Sequence, residues 1–156
     1  MSMPAQKPPY MTKITSAYLA GFVDGEGCVR INRHKCGWTK LGYRFEPYLD
    51  ITNTDKQQLL DIQRTLSAGT VRAKKMYHSN RKQGYVWTVY GNTASAILQK
   101  LLPFLRIKRR QAELLISYAN TFCLDSRVGK RLSTKDRMKQ LRIYTKVRKL
   151  NKRGTI

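Results

Sequence analysis

The chain has 156 residues, of which 31 are Lys or Arg and 9 are Asp or Glu, so its formal net charge is +22. Because 41% of the residues are hydrophobic, a disordered polycation is excluded, and the length favours one domain with a real core. No run of about 18 apolar residues occurs, so no transmembrane helix is expected, and the first residues lack the apolar segment of a secretory signal. The charge predicts a polyanionic partner. Its spread among aromatic residues and strands favours nucleic acid over a membrane surface.

The N-terminal residues and the cysteines say little about function. Residues 1–13 contain Pro4, Pro8 and Pro9 and predict a flexible arm, which precedes a single domain over residues 14–156. The three cysteines are odd in number and lack zinc-site spacing. The sequence therefore supports neither a disulfide framework nor a zinc knuckle.

A helix is predicted from residue 14 to about residue 25. Its small residues Ala17, Gly21 and Gly25 recur every four positions, a spacing that lets a second backbone approach closely. Each glycine inside a helix lowers its stability by about 1 kcal/mol relative to alanine, so a compensating packing gain is expected. The alternative is a chance cluster of glycines at a helix end.

Strands and further helices follow in a regular order. Alternation predicts strands at residues 28–34 and 44–52, and then at 70–77 and 85–90. Helices are predicted at residues 55–66, 92–102, 107–122 and 134–150. Two hairpins joined by helices indicate an α+β domain, with an antiparallel sheet covered by helices on one face. Periodicity does not decide which face of 85–90 is buried.

The uncovered face of this predicted sheet is polar and mostly basic. Such a face fits the major groove of DNA, although a merely solvated sheet face also alternates. Loop residues Lys35, Trp38, Lys40, Arg81 and Lys82 are expected to contact phosphate. The residues expected to read the sequence of the DNA are Arg30, Asn32, His34, Arg44, Glu46, Tyr48, Asp50, Arg72 and Lys74.

One motif carries recognisable chemistry. Residues 19–27 read LAGFVDGEG, which resembles the LAGLIDADG motif of homing endonucleases and is identical at five of its nine positions. Residues 102–112 also look like the family's segment with a basic active-site residue. The resemblance covers residues 14–122, leaving a basic helical extension over 123–156. It implies the αββαββα fold with a saddle-shaped antiparallel sheet and additional C-terminal helices.

The resemblance assigns roles to individual residues. It implies Glu26 as a metal ligand together with Gly25, and Lys108 as the active-site cation. Asn53 and Gln57 take the positions that organise catalytic water, with Lys56 as an alternative to Gln57. It makes Asp24 structural, bonded to backbone groups at the end of a partner helix. The implied dimer interface consists of Ala17, Gly21, Asp24 and Gly25.

These roles fit the chemistry of phosphodiester hydrolysis. A carboxylate holds a hard cation such as Mg²⁺, for which Mn²⁺ is the expected substitute, and one carboxylate per chain is too few for a secure site. Only one motif copy is present, which favours a homodimer and hence a long pseudo-palindromic target.

The resemblance implies a site-specific double-strand DNA endonuclease that leaves 3′ overhangs and promotes intron homing. Two alternatives remain: an RNA-binding intron maturase on the same fold, and a non-enzymatic basic nucleic-acid-binding protein. No membrane partner is expected, and RNA binding is left open. An organelle and an archaeal cytoplasm both suit the family.

Overall fold

The computed structural model describes residues 14–37, 42–122 and 132–152. The predicted arm at 1–13 lies outside these residues, as do Trp38, Lys40 and Cys123. Five helices and four strands make up the described part of the chain: α1 (Ser16–Glu26), β1 (Gly27–Lys35), β2 (Tyr43–Asn53), α2 (Lys56–Leu66), β3 (Thr70–Ala73), β4 (Tyr85–Tyr90), α3 (Gly91–Leu101), α4 (Arg109–Phe122) and α5 (Thr134–Leu150).

Side-chain caps define the starts of three helices. Thr15 Oγ1 accepts from the Tyr18 N–H at 3.2 Å before α1, and Asp55 Oδ1 accepts from the Gln58 N–H at 3.2 Å before α2. Before α5, Ser133 Oγ accepts from the Asp136 N–H at 3.1 Å. Each hydrogen bond satisfies one of the N–H groups that a helix N-terminus leaves without an internal partner.

Several predicted boundaries differ from the structure: α1 begins at Ser16 instead of residue 14, and α4 begins at Arg109 instead of residue 107. Helix α3 was expected to start at Asn92 or Thr93, but it begins at Gly91, whose φ of +62° favours glycine. Strand β3 was expected to reach residue 77, but it ends at Ala73. The Lys74 N–H still donates to the Gly84 carbonyl at 2.8 Å, so the two segments diverge only beyond that bond.

The four strands form one antiparallel sheet in the order β1-β2-β4-β3. Pro47 of β2 lies opposite Ile31 of β1, and the pairing of β2 with β4 starts only at Tyr48. At Pro47 the strand therefore has one neighbour, which is where a residue without an N–H fits a sheet. The predicted α+β class and the αββαββα order are confirmed.

The register settles which face of β4 is buried. Trp87 pairs with Ile51 and Val89 pairs with Leu49, and all four are almost fully buried beneath the helices. Trp87 Nε1 also donates to the Ala68 carbonyl at 3.0 Å. The intervening residues of β4 therefore lie on the open face.

The turn before β3 requires glycine. Gly69 has a φ of +86°, and a Cβ added there would lie 2.3 Å from Trp87 Nε1. A side chain at this position would displace the largest buried ring of the core, so close packing explains the glycine.

The C-terminal helix α5 packs beside the edge strand β1. Ile143 and Val147 are buried, and the Tyr144 ring lies 4.9 Å from the Phe45 ring. Asn151 Nδ2 donates to the Val29 carbonyl at 2.8 Å. Among the described residues, no helix combines the length and apolar character that crossing a membrane requires.

Candidate catalytic and nucleic-acid-binding site

The C-terminal end of α1 presents an exposed carboxylate. Glu26 is the last residue of α1 and is exposed, and no contact to another described residue engages its carboxylate. Gly25 beside it is exposed as well. The described ranges contain no group of three or more His, Cys, Asp or Glu residues that could hold a metal ion. A single chain thus offers one carboxylate and nearby backbone carbonyls, which is an incomplete cation site.

Asp24 has partners within its own chain. Its Oδ2 accepts from the Arg106 N–H at 2.8 Å, and its Oδ1 accepts from the Lys108 N–H at 2.9 Å. The family resemblance implies backbone partners on a second copy, whereas here the carboxylate joins α1 to the segment that precedes α4. Asp24 is therefore a structural anchor for the position of Lys108.

The surroundings of Asp24 favour its charged form. Burial alone would raise the pKa of Asp24, but backbone N–H groups of Arg106, Lys108 and Ile107 stabilise the carboxylate, and the Lys108 charge adds to this. Their combined effect holds the pKa below the ordinary value of 3.8.

This shift predicts a pH-dependent contribution of Asp24 to stability. Since the folded-state pKa is lowered, the stabilisation is fully present above the ordinary pKa and is lost as the pH falls through the folded-state value. We expect Asp24→Asn to lower the free energy of unfolding most at neutral pH and progressively less in strong acid. Urea unfolding of both proteins across this range measures the difference, and an equal loss at every pH would contradict the assignment.

Lys108 is fixed at the same helix end. Its Nζ donates to the Asp24 carbonyl oxygen, and its side chain is half-buried. A cation is favoured there because helix carbonyls without internal partners give the C-terminus a negative partial charge. The structure thus holds the Lys108 ammonium group on the carbonyl of Asp24, two residues before Glu26 at the end of α1.

Cys28 lies at the start of β1, and the charge of Lys108 reaches it. Burial raises the pKa of the Cys28 thiol. The positive charges of Arg30 and Lys108 lower this pKa, whereas the negative charge of Asp50 raises it further. Lys108 therefore lies near the end of the open sheet face that adjoins α1, which is the end where Arg30 and Asp50 lie.

The predicted water-organising residues have local partners. Asn53 Oδ1 accepts from the Asp55 N–H at 2.8 Å, and Gln57 Nε2 donates to Asp61 Oδ1 at 3.1 Å. The alternative residue, Lys56, has its Nζ 5.5 Å from the centre of the Tyr85 ring. None of these contacts joins Glu26 or Lys108, so a catalytic role for these residues stays a prediction.

The sheet register brings the predicted DNA-reading residues of β1 and β2 onto one face. Arg30 lies opposite Tyr48, Asn32 opposite Glu46, and His34 opposite Arg44. Arg72 of β3 lies on the same face across β4, whereas Lys74 lies beyond the end of β3. The open face is therefore continuous across the sheet.

Arg30 is the centre of a hydrogen-bonded group on this face. Its Nε and Nη2 donate to Asp50 Oδ2 at 2.7 and 2.5 Å, and its Nη1 donates to Asn32 Oδ1. The guanidinium carbon lies 5.3 Å from the centre of the Tyr48 ring. Asp50 is 8% exposed, so its charge is buried and paired.

Glu46 organises the outer part of the face. It accepts from the Tyr48 hydroxyl at 3.3 Å, and its carboxylate lies 3.6 Å from both His34 Nε2 and Arg44 Nη2. Burial raises the pKa of the Tyr48 hydroxyl, and the negative charge of Glu46 raises it further. Tyr48 therefore stays a neutral donor at physiological pH.

A basic cleft of about 520 Å³ lies where β3 and β4 diverge. Its lining residues Lys75 and Tyr77 were predicted to lie within β3 and His78 in the loop that follows, and none of the three was predicted to bind DNA. The adjacent lysines at 74 and 75 were the available signal. The cleft's basic and aromatic side chains are Lys74, Lys75, Tyr77, His78, Arg81 and Lys82.

Comparisons with known proteins agree with this geometry. A family profile described as LAGLIDADG endonuclease matches residues 19–119. The DNA endonuclease I-CvuI of Chlorella vulgaris is 33% identical over 113 residues, which cover 71% of this chain and 67% of that protein. A crystal structure of I-CvuI with its target and calcium is 29% identical, covers 90% of this chain and 83% of that one, and has a TM-score of 0.72.

A more distant structure shares the fold. An archaeal intron-encoded homing endonuclease, I-Vdi141I in complex with DNA, is 22% identical, covers 89% of this chain and 85% of that chain, and has a TM-score of 0.73. The profile match spans more than half of the chain and includes both the α1 motif and the Lys108 segment. The chain belongs to the LAGLIDADG endonuclease family.

Proposed function

We propose that this protein is a site-specific double-strand DNA endonuclease that works as a homodimer and promotes the homing of an intron. The observation that carries the proposal is the exposed Glu26 carboxylate, which no described residue engages, at the end of a glycine-lined helix whose Asp24 carbonyl holds Lys108. The basic open face of the sheet supplies the surface for the duplex, and the net charge of +22 supplies affinity for phosphate.

The surface of α1 supports pairing with a second copy. Ala17, Gly21 and Gly25 are all exposed, and a Cβ added at either glycine would meet no atom within 4 Å. Ile107, which lies within the segment held by Asp24, is 73% exposed. A helix with a small-residue stripe allows close approach of a second backbone, and burial of Ile107 would add apolar area.

Dimerisation also completes the cation site. Two copies related by a two-fold axis would bring together two Glu26 carboxylates and the adjacent Gly25 carbonyls, which are hard oxygen ligands suited to Mg²⁺ or Mn²⁺. When bound, such an ion activates water and stabilises negative charge on the phosphate. Lys108, through its Nζ, supplies a further positive charge near the same phosphate. The relative I-CvuI has been crystallised with DNA in the presence of magnesium and of calcium.

The proposal is tested by first selecting the DNA sequence that the protein binds and then measuring whether the protein cleaves it. A randomised duplex library is enriched for binding to the full chain, and the enriched site is cloned into a plasmid. We expect discrete double-strand cuts with Mg²⁺ and none with EDTA, with recovered ends carrying 3′ overhangs. Binding should weaken steeply as salt rises, because phosphate contacts displace counterions.

Other outcomes would select the alternatives. Tight binding of a structured intron RNA without any DNA scission would favour a maturase. Salt-sensitive DNA binding without an enriched sequence and without cuts would indicate a non-enzymatic binding protein. Either result would overturn the endonuclease proposal.

A further inference from the structure

Arg30 is held in one orientation on the open sheet face. Asp50 engages its Nε and Nη2, Asn32 engages its Nη1, and the Tyr48 ring lies beneath its guanidinium. The Arg30 side chain nevertheless remains 39% exposed, whereas that of Asp50 is only 11% exposed. A charged donor that is fixed before the duplex arrives loses less conformational entropy when it binds.

Asp50 cannot itself serve as a base-reading residue in this arrangement. Its Oδ2 already accepts two hydrogen bonds from Arg30. Its Oδ1 is buried and has no hydrogen-bond partner among the described residues. Neither oxygen is available to accept from a cytosine amino group, so the role left for Asp50 is to orient the guanidinium.

Asn32 is constrained by the same geometry. A guanidinium has only donors, so the amide atom that faces Arg30 must be the oxygen. An asparagine that reads adenine needs both its oxygen and its amide nitrogen at the base edge. Because Arg30 engages the amide oxygen of Asn32, only the amide N–H groups of Asn32 remain available to contact a base.

The group therefore offers donors and no acceptors to DNA. Three of the five N–H donors of Arg30 are used internally, which leaves two for a base. In the major groove guanine presents two acceptors, N7 and O6, whereas adenine and cytosine each present an amino donor. We propose that Asp50, Arg30 and Asn32 act as one unit that selects a guanine in each half-site, with Arg30 as the contacting residue and Asp50 as the positioning residue.

This inference rests on the proposed function, since it needs a duplex on the open face. It replaces the simpler expectation that Asp50 and Asn32 each read a base of their own. It also predicts that the two residues are coupled: removing Asp50 should change the preference at the base pair that Arg30 reads, and at no other base pair.

The experiment compares binding-site libraries selected by the wild type, Arg30→Ala, Asp50→Asn and Arg64→Ala. The wild type should select a guanine in each half-site, and Arg30→Ala should reduce that preference by about tenfold or more. Asp50→Asn should weaken the preference at the same base pair. Arg64, whose side chain is 60% exposed and pairs with Asp61 on α2, lies outside the open face and is the control, and its loss should leave this guanine selected.

Thermal unfolding of each variant separates specificity from folding. If Asp50→Asn unfolds during selection, Arg30→Lys provides the second test, because lysine keeps the charge but lacks the planar group of donors. A new preference at a different base pair in Asp50→Asn would overturn the proposal, as would a guanine that persists in Arg30→Ala. A wild type that enriches no sequence would overturn the proposed function itself, and this inference with it.

Discussion

Replacement of Glu26 by glutamine is expected to reduce DNA cleavage by at least about a thousandfold while leaving DNA binding within a few-fold of the wild type. Glutamine keeps the size of the side chain and removes the negative charge that a divalent cation requires. Because Glu26 is exposed and no described contact engages it, the substitution should leave the fold unchanged. Single-turnover cleavage and equilibrium binding on the selected duplex measure the two effects separately.

Glu113→Gln is the matched control for this substitution. Glu113 is also a partly exposed helix carboxylate, but it pairs with Arg109 and Arg110 on α4 and has no place in the proposed site. Surface ion pairs of this kind contribute little to stability, so cleavage should stay near the wild-type rate. Full activity of Glu26→Gln would contradict the assignment of Glu26 as the metal ligand.

Replacement of Gly21 by leucine is expected to leave each chain folded and to abolish association. No atom lies within 4 Å of the added Cβ in a single chain, and leucine is a better helix former than glycine by about 1 kcal/mol. In a pair of helices packed through the small-residue stripe, the same side chain would hold the backbones apart. Sedimentation equilibrium should show a monomer, and thermal unfolding should show normal or raised stability. Cleavage should be lost.

Gly27→Ala gives the opposite pattern and serves as the control. A Cβ at Gly27 would lie 2.6 Å from the Val23 carbonyl oxygen of the preceding helix α1, so the substitution should lower the free energy of unfolding directly. If Gly21→Leu still dimerises and cleaves, the glycines of α1 are not the interface.

The fold was predictable where the determinants are local. The apolar stripe of α2 and its Asp55 cap depend on neighbours within one or two turns, and the structure confirms both. The start of α3 was missed because Gly91 adopts a positive φ that no hydrophobic pattern encodes. The buried face of β4 could not be assigned before pairing was known, since nearly all of its residues are apolar or aromatic.

The site was predictable as a motif but not as a set of contacts. Asp24 bonds to residues 82 and 84 positions away, so the sequence could not show that its own chain supplies those partners. The pairing of Arg30 with Asp50 likewise depends on the register of β1 against β2. Resemblance supplied the expected roles of Glu26 and Lys108; the structure added that Asp24 connects them.

The central claim is that two chains share one catalytic centre, and a mixing experiment tests it most directly. Wild-type and Glu26→Gln chains are co-expressed in varied ratios, and double-strand cleavage is measured at constant total protein. If each active unit needs a carboxylate from both chains, an equal mixture should retain about one quarter of the wild-type activity. A chain that carries both Gly21→Leu and Glu26→Gln should not inhibit, because it cannot pair. Activity that falls only in proportion to the wild-type fraction would show that each chain cuts alone and would contradict the account.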